Sequence, residues 1–145
     1  MKVSTKGRYA LRALTHLAKS YREDTNRPVS IKEISKKEKI SNRYLENIFV
    51  KLRKKGIVES LKGEKGGFKL AKSPKKLTVY RILEAVENDM PPAKCVIDVK
   101  VCARSSECAL RGMWVKLHKN VKDFLSQTTL NEVMEMHIGG KGKNG

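Results

Sequence analysis

The chain lacks any apolar run long enough to span a bilayer, any secretory leader pattern and any lipidation motif, so a soluble cytoplasmic protein without a membrane partner is the expectation. It has no internal repeat. It also has no Gly-rich nucleotide fingerprint, no catalytic triad pattern and no acidic dyad, and nothing in it points to an enzyme. Acidic residues are scarce: 15 Asp and Glu stand against 32 Lys and Arg, a formal net charge of +17. Such an excess favours a polyanionic partner, because every phosphate neutralised releases counterions. Duplex DNA, RNA and an anionic membrane surface all meet that requirement, so composition does not choose among them. At 145 residues the chain can hold one modest core but would need a partner to cover a long exposed helix.

The segment from Ser30 to Leu70 does choose. Ser30 is placed to cap a helix over Ile31–Glu38, with Ile31 and Ile34 as its buried stripe. Lys39-Ile40 breaks the pattern, and Ser41 caps a longer helix running to about Lys54. Leu45, Ile48, Phe49 and Leu52 form the core face of this second helix, which turns Asn42, Arg43, Asn47, Val50, Lys51 and Lys54 toward other surfaces. Arg43 and Asn47 lie one turn apart near its amino-terminal end. There, a helix entering a major groove meets base edges, where Arg can bind guanine and Asn adenine through two hydrogen bonds. Gly56 stops the helix, and Ile57–Leu61 and Phe68–Ala71 read as two short strands around a Gly-rich turn with Lys62 and Lys65 at its tip. Two helices, a tight turn and a basic hairpin in this order predict a winged helix-turn-helix. The fold class expected is mainly α with a small β-hairpin, a DNA-binding head followed by a long dimerisation helix, and the expected partner is double-stranded DNA.

The flanking segments supply the rest of the core. Tyr9, Ala10, Ala13, Leu14, Leu17, Ala18 and Tyr21 form one apolar stripe over a helix from Lys6 to about Tyr21. Thr78 caps another in which Val79, Ile82, Leu83 and Val86 keep helical period, with Pro91-Pro92 expected to close it.

All three cysteines fall within fourteen residues, as Cys95-x6-Cys102-x5-Cys108. An odd number argues against a closed disulfide framework, and there is no Cys-x2-4-Cys knuckle of the kind zinc sites show. Iron–sulfur clusters tolerate wider spacing and prefer soft thiolate ligands, whose charge Lys94, Lys100 and Arg104 could offset. Spacing alone leaves ligation and incidental thiols in a loop equally open. After Cys108, Leu110, Met113, Trp114, Leu117, Val121, Phe124 and Leu125 recur at three and four residues along a long helix. Its stripe needs cover, from the core or from a twofold mate in a homodimer that matches DNA half-sites. Thr128-Thr129 caps a short helix through Met136. The expected organisation is a winged head over 1–75, a cysteine loop and dimerisation region over 76–138, and a flexible tail over 139–145.

Three stretches, Met1-Lys-Val-Ser-Thr-Lys-Gly-Arg-Tyr-Ala-Leu-Arg-Ala-Leu, Ile40-Ser-Asn-Arg-Tyr-Leu-Glu-Asn-Ile-Phe and Gly63-Glu-Lys-Gly-Gly-Phe-Lys-Leu, resemble the IscR-type family of bacterial winged-helix regulators. The likeness covers nearly the whole chain and extends to Trp114 and to Leu125-Ser-Gln-Thr-Thr-Leu-Asn-Glu-Val. It implies a homodimeric transcriptional regulator, a repressor in the expectation, reading a partly palindromic operator. By the same resemblance Ser41, Arg43, Tyr44, Glu46 and Asn47 lie in the recognition-helix segment and Lys62 at the wing position that contacts DNA. Tyr44 is also partly core by periodicity, and Glu46 would repel phosphate unless it meets a cytosine amino group. The resemblance further implies that Cys95, Cys102 and Cys108 hold the iron of a cluster, [2Fe–2S] or [4Fe–4S], which senses iron–sulfur, iron, redox or nitric oxide status. The fourth ligand departs from the family pattern. Some relatives have a histidine three residues after the last cysteine, where this chain has Arg111, and others use an acidic residue of the partner's first helix, where this chain offers Arg8. Asp98, Glu107, His118 or an exogenous molecule stay open. A clusterless thiol or cysteine-metabolism regulator is the alternative function, and a basic RNA-binding protein a further one.

Overall fold

Hydroxyl side chains set five helix starts. Ser4 Oγ accepts the N–H of Gly7 at 3.2 Å, Ser30 that of Glu33 at 3.1 Å, Ser41 that of Tyr44 at 3.2 Å, Thr78 that of Arg81 at 3.2 Å, and Thr129 that of Glu132 at 3.1 Å. Each satisfies an amide that the first helical turn leaves without a partner. The helices they begin are α1 (Thr5–Arg22), α2 (Ile31–Glu38), α3 (Asn42–Lys54), α4 (Val79–Val86) and α6 (Leu130–Gly140). The remaining helix among the described residues, α5 (Ala109–Gln127), starts after Cys108 without a side-chain cap. The computed structural model describes residues 3–23, 27–87, 96, 98, 100, 103–104 and 106–140, the side chains of 137–140 excepted.

Strands β1 (Val58–Leu61) and β2 (Gly67–Leu70) pair antiparallel, with Val58 opposite Leu70 and Leu61 opposite Gly67. Val29 extends this hairpin from the other side: its N–H donates to Phe68 O at 2.8 Å, and Phe68 N–H donates to Val29 O at 2.9 Å. This third edge explains Gly67. Its φ is +150°, and a Cβ there would lie 2.5 Å from Val29 O, so only glycine permits the approach. Phe68 then reaches inward to Phe49, ring centroids 4.6 Å apart, and joins the wing to α3.

A single apolar cluster unites the head with the helices beyond the wing. Leu14 and Leu17 of α1, Ile34 of α2, Ile48 and Phe49 of α3, Ile82 of α4 and Leu130 of α6 are all buried in it. Burying each large side chain contributes about 1.5–3 kcal/mol. The entry to α6 is stitched in by backbone bonds as well: Val79 N–H donates to Thr128 O and Leu130 N–H to Leu77 O, both at 2.8 Å.

Two helix ends differ from the sequence expectation. Helix α4 stops at Val86, well before Pro91-Pro92, because Glu87 turns extended (φ −115°, ψ 155°) and sends its carboxylate to the start of α1. Helix α6 runs to Gly140 rather than Met136, taking in the first two residues expected to belong to the tail. Positions 141–145 lie outside the described residues. Among the described residues, no helix is long and apolar enough to cross a membrane.

Candidate nucleic-acid interface

Helix α3 is held by its buried face, where Leu45, Ile48, Phe49 and Leu52 are each fully enclosed. The opposite face is consequently fixed in orientation. Four basic side chains, Arg43, Lys51, Arg53 and Lys54, and one acidic, Glu46, occupy this helix. Ser41, Arg43, Glu46 and Asn47 are all exposed. Arg43 and Glu46 form no ion pair among the described residues, which leaves the guanidinium and the carboxylate free for a ligand.

The turn leading into α3 is firmly built. Lys39 adopts a left-handed conformation (φ 57°), and Ser35 Oγ donates to Ile40 O at 2.5 Å across the bend. Glu38, the last residue of α2, is gripped from α1: Arg12 Nη2 donates to its Oε2 at 2.8 Å, and His16 Nε2 lies 3.0 Å from its Oε1. Burial alone would raise the Glu38 pKa. The His16 hydrogen bond and the Arg12 hydrogen bonds and charge outweigh that, holding the carboxyl below its ordinary value of 4.5.

Tyr44 meets the ring of Tyr9 edge-on, centroids 5.5 Å apart at 77°, and is half-buried against the core. It braces α3 on α1, the partly core role that periodicity suggested, with the remainder of its surface open. Ser41 has a structural duty too, since its hydroxyl caps the helix.

On the wing, Lys62 and Lys65 are exposed at the turn between β1 and β2. Gly63 (φ +107°) gives that turn its geometry, and the Gly66 N–H donates to Gly63 O at 3.0 Å. The fold therefore carries the exposed face of α3 and a basic wing on one head, joined through the Phe49–Phe68 contact. Lys6 of α1 was not among the expected residues. It lies against Lys51, and the close approach of this second ammonium pulls the Lys51 pKa below the ordinary lysine value. Forty-five positions separate them, and no local pattern could have paired them.

The cysteines are only partly in view. Cys108 is half-buried at the start of α5, and its side chain makes no capping hydrogen bond, which suits a ligand sulfur. Cys95 and Cys102 lie outside the described residues, as does Lys94. Among the candidates for a fourth ligand, Asp98 Oδ1 already accepts from Lys100 N–H at 2.9 Å. His118 lies ten residues into the helix from Cys108, about 15 Å along its axis, too far to share one cluster with that thiol in the same chain. Glu107 is exposed beside Cys108. Among the described residues, no three His, Cys, Asp or Glu side chains gather in a metal-binding group.

Comparison with known proteins agrees with this geometry. Residues 3–136 match the family model described as Rrf2, iron-dependent transcriptional regulator. The transcriptional regulator IscR of Cereibacter sphaeroides is 39% identical over 137 residues, covering 93% of this chain and 88% of that protein. Among solved structures, CymR, the global cysteine regulator of B. subtilis, superposes with a TM-score of 0.79 at 32% identity, over 94% of this chain and 98% of that one. T. potens IscR gives a TM-score of 0.73 at 30% identity, over 93% and 87%. The chain belongs to the Rrf2 family of DNA-binding transcriptional regulators.

Proposed function

We propose that this protein is a homodimeric repressor that reads a partly palindromic operator and changes its affinity with iron–sulfur status. The exposed polar face of α3 carries the reading part: Arg43 and Asn47 contact base edges, Ser41, Tyr44 and Glu46 flank them, and Lys62 reaches a phosphate from the wing. The division of labour follows the chain, with residues 1–75 binding DNA and 76–138 sensing and pairing.

Cys95, Cys102 and Cys108 would hold the cluster, which when bound would supply a labile, redox-sensitive cross-link within the segment between α4 and α5. The matching family's description as iron-dependent supports this, as do the IscR relatives and the soft three-thiol donor set. What the chain's own residues provide is attachment at both ends of that segment. Glu87, at its start, bonds Ser4 at the head of α1, and Cys108, at its end, is the residue from which α5 begins. A change between them therefore bears on the DNA-binding head and on the pairing helix together. Switching requires that the two states differ in operator affinity.

A second reading has its own support in the CymR likeness: a clusterless regulator of cysteine metabolism that uses the same thiols. Anaerobic purification with visible absorption and iron and sulfide analysis, repeated on Cys102→Ala, separates the two. A chromophore with iron and sulfide that vanishes in the variant supports the cluster. A colourless, metal-free dimer that still binds its operator supports the thiol reading. Equal operator affinity of the loaded and metal-free protein at matched salt would refute coupling to the cluster.

A further inference from the structure

The outer face of α3 carries one side chain that can neither donate nor accept a hydrogen bond. Val50 is 51% exposed, and it is the only exposed large hydrophobic in α1, α2 and α3. At about 100° per residue, Val50 projects within about 20° of Arg43 and about 60° of Asn47, almost directly opposite the buried Leu52. It thus occupies the centre of the face turned farthest from the core, between Asn47 and Lys54, rather than a margin where core packing would account for it. Valine is also stiff: a helix restricts its χ1 to essentially one rotamer, so its two methyl groups are held ready in place.

We propose that Val50 is a specificity residue that packs against the C5-methyl group of a thymine in the major groove. This rests on α3 being the helix that enters the groove. A major groove presents only one aliphatic group, the thymine methyl, and the other base edges are hydrogen-bond donors and acceptors that valine cannot satisfy. Val50 lies about 10 Å along the helix axis from Arg43, so the thymine belongs to a different base pair from the one met by Arg43. The arrangement favours DNA over RNA at this position, because uracil lacks the methyl group.

The test uses the full-length protein and a duplex enriched from a random pool by that protein. Binding is measured on this duplex and on copies in which each thymine in turn is replaced by deoxyuridine, for wild type, Val50→Ala and Arg43→Ala. Burial of one methyl group predicts that one thymine per half-site, on replacement, weakens wild-type binding about fourfold. Val50→Ala should bind the thymine and deoxyuridine versions of that site equally. If no replacement weakens wild type, or if Val50→Ala keeps the same sensitivity, the assignment is overturned, including in favour of a protein partner on Val50. The Arg43→Ala arm separates the two levels: a shifted sequence preference there, with no deoxyuridine effect, removes Val50 alone. No enriched sequence, or an unchanged preference in Arg43→Ala, removes both Val50 and the reading of α3 on which it depends.

Discussion

Glu87 Oε1, at the end of α4, accepts hydrogen bonds from both the backbone N–H of Ser4, at 2.6 Å, and the Ser4 hydroxyl. An acceptor carboxylate at a helix N-terminus also answers the positive end of the helix dipole. The contact brings α4 so close to α1 that a Cβ on Gly7 would lie 2.7 Å from Glu87 Oε1 and 2.9 Å from Leu83 Cδ2. Gly7→Ala should gain about 1 kcal/mol in helix propensity and lose about 1–3 kcal/mol to overpacking. The expected net result is a lower urea midpoint with an unchanged slope. A raised midpoint would show that the α1–α4 seam has slack.

The Arg12–Glu38–His16 cluster predicts an acid-dependent loss of stability. A carboxyl whose folded pKa is depressed contributes stability that is fully present above its unfolded value, near 4.5, and is lost as pH falls through the lower folded value. Glu38→Gln should remove that part of the pH dependence and cost about 1 kcal/mol at neutral pH, in line with a charge-assisted contact to a partly exposed arginine. Urea titrations from pH 7 down to pH 3 measure both. Parallel curves for wild type and variant would mean that the carboxylate contributes nothing.

These contacts mark what was legible in the sequence and what was not. Helices α2 and α3 could be placed to the residue because their caps, Ser30 and Ser41, and their stripes act within one or two turns. The wing was legible from glycine spacing, apart from its pairing with Val29, which depends on how the chain returns. Arg43, Asn47 and Lys62 emerged as exposed, as helical phase and turn position required. Glu87, by contrast, was hidden, since its partner lies 83 positions away and the helix it ends carries no local stop signal. The same holds for Lys6 beside Lys51. The thiols were legible only as a spacing.

Helix α5 predicts association. None of its 19 residues is buried, and Leu110, Met113, Leu117 and Phe124 are 58%, 48%, 39% and 62% exposed along one run of helical spacing. An apolar stripe of this kind marks an interaction surface, and a twofold axis lets the same stripe cover itself. Wild type should sediment at twice the chain mass, and the double variant Leu117→Lys with Phe124→Lys at the chain mass, while keeping its helical circular dichroism. A variant that remains folded and dimeric would place the interface elsewhere.

Arg43 and Lys62 should fail in different ways, because base contacts specify and phosphate contacts position. Losing a guanidinium that makes two hydrogen bonds to guanine removes about 1–3 kcal/mol at one base pair per half-site, and removes little on sequences that never offered that guanine. Arg43→Ala should therefore lower affinity for the preferred operator while leaving non-specific binding nearly intact, so the ratio between them collapses. Lys62 lies exposed at the wing turn and, as a point charge, would neutralise one phosphate. Lys62→Ala should weaken all duplexes alike and reduce the slope of log K against log salt by about one for each wing engaged. Binding titrations at four or more salt concentrations, on preferred and scrambled duplexes, read both quantities from the same data. If Lys62→Ala changes the sequence ratio but not the salt slope, the wing reads bases rather than phosphates, and the division of roles between the two residues has to be reversed.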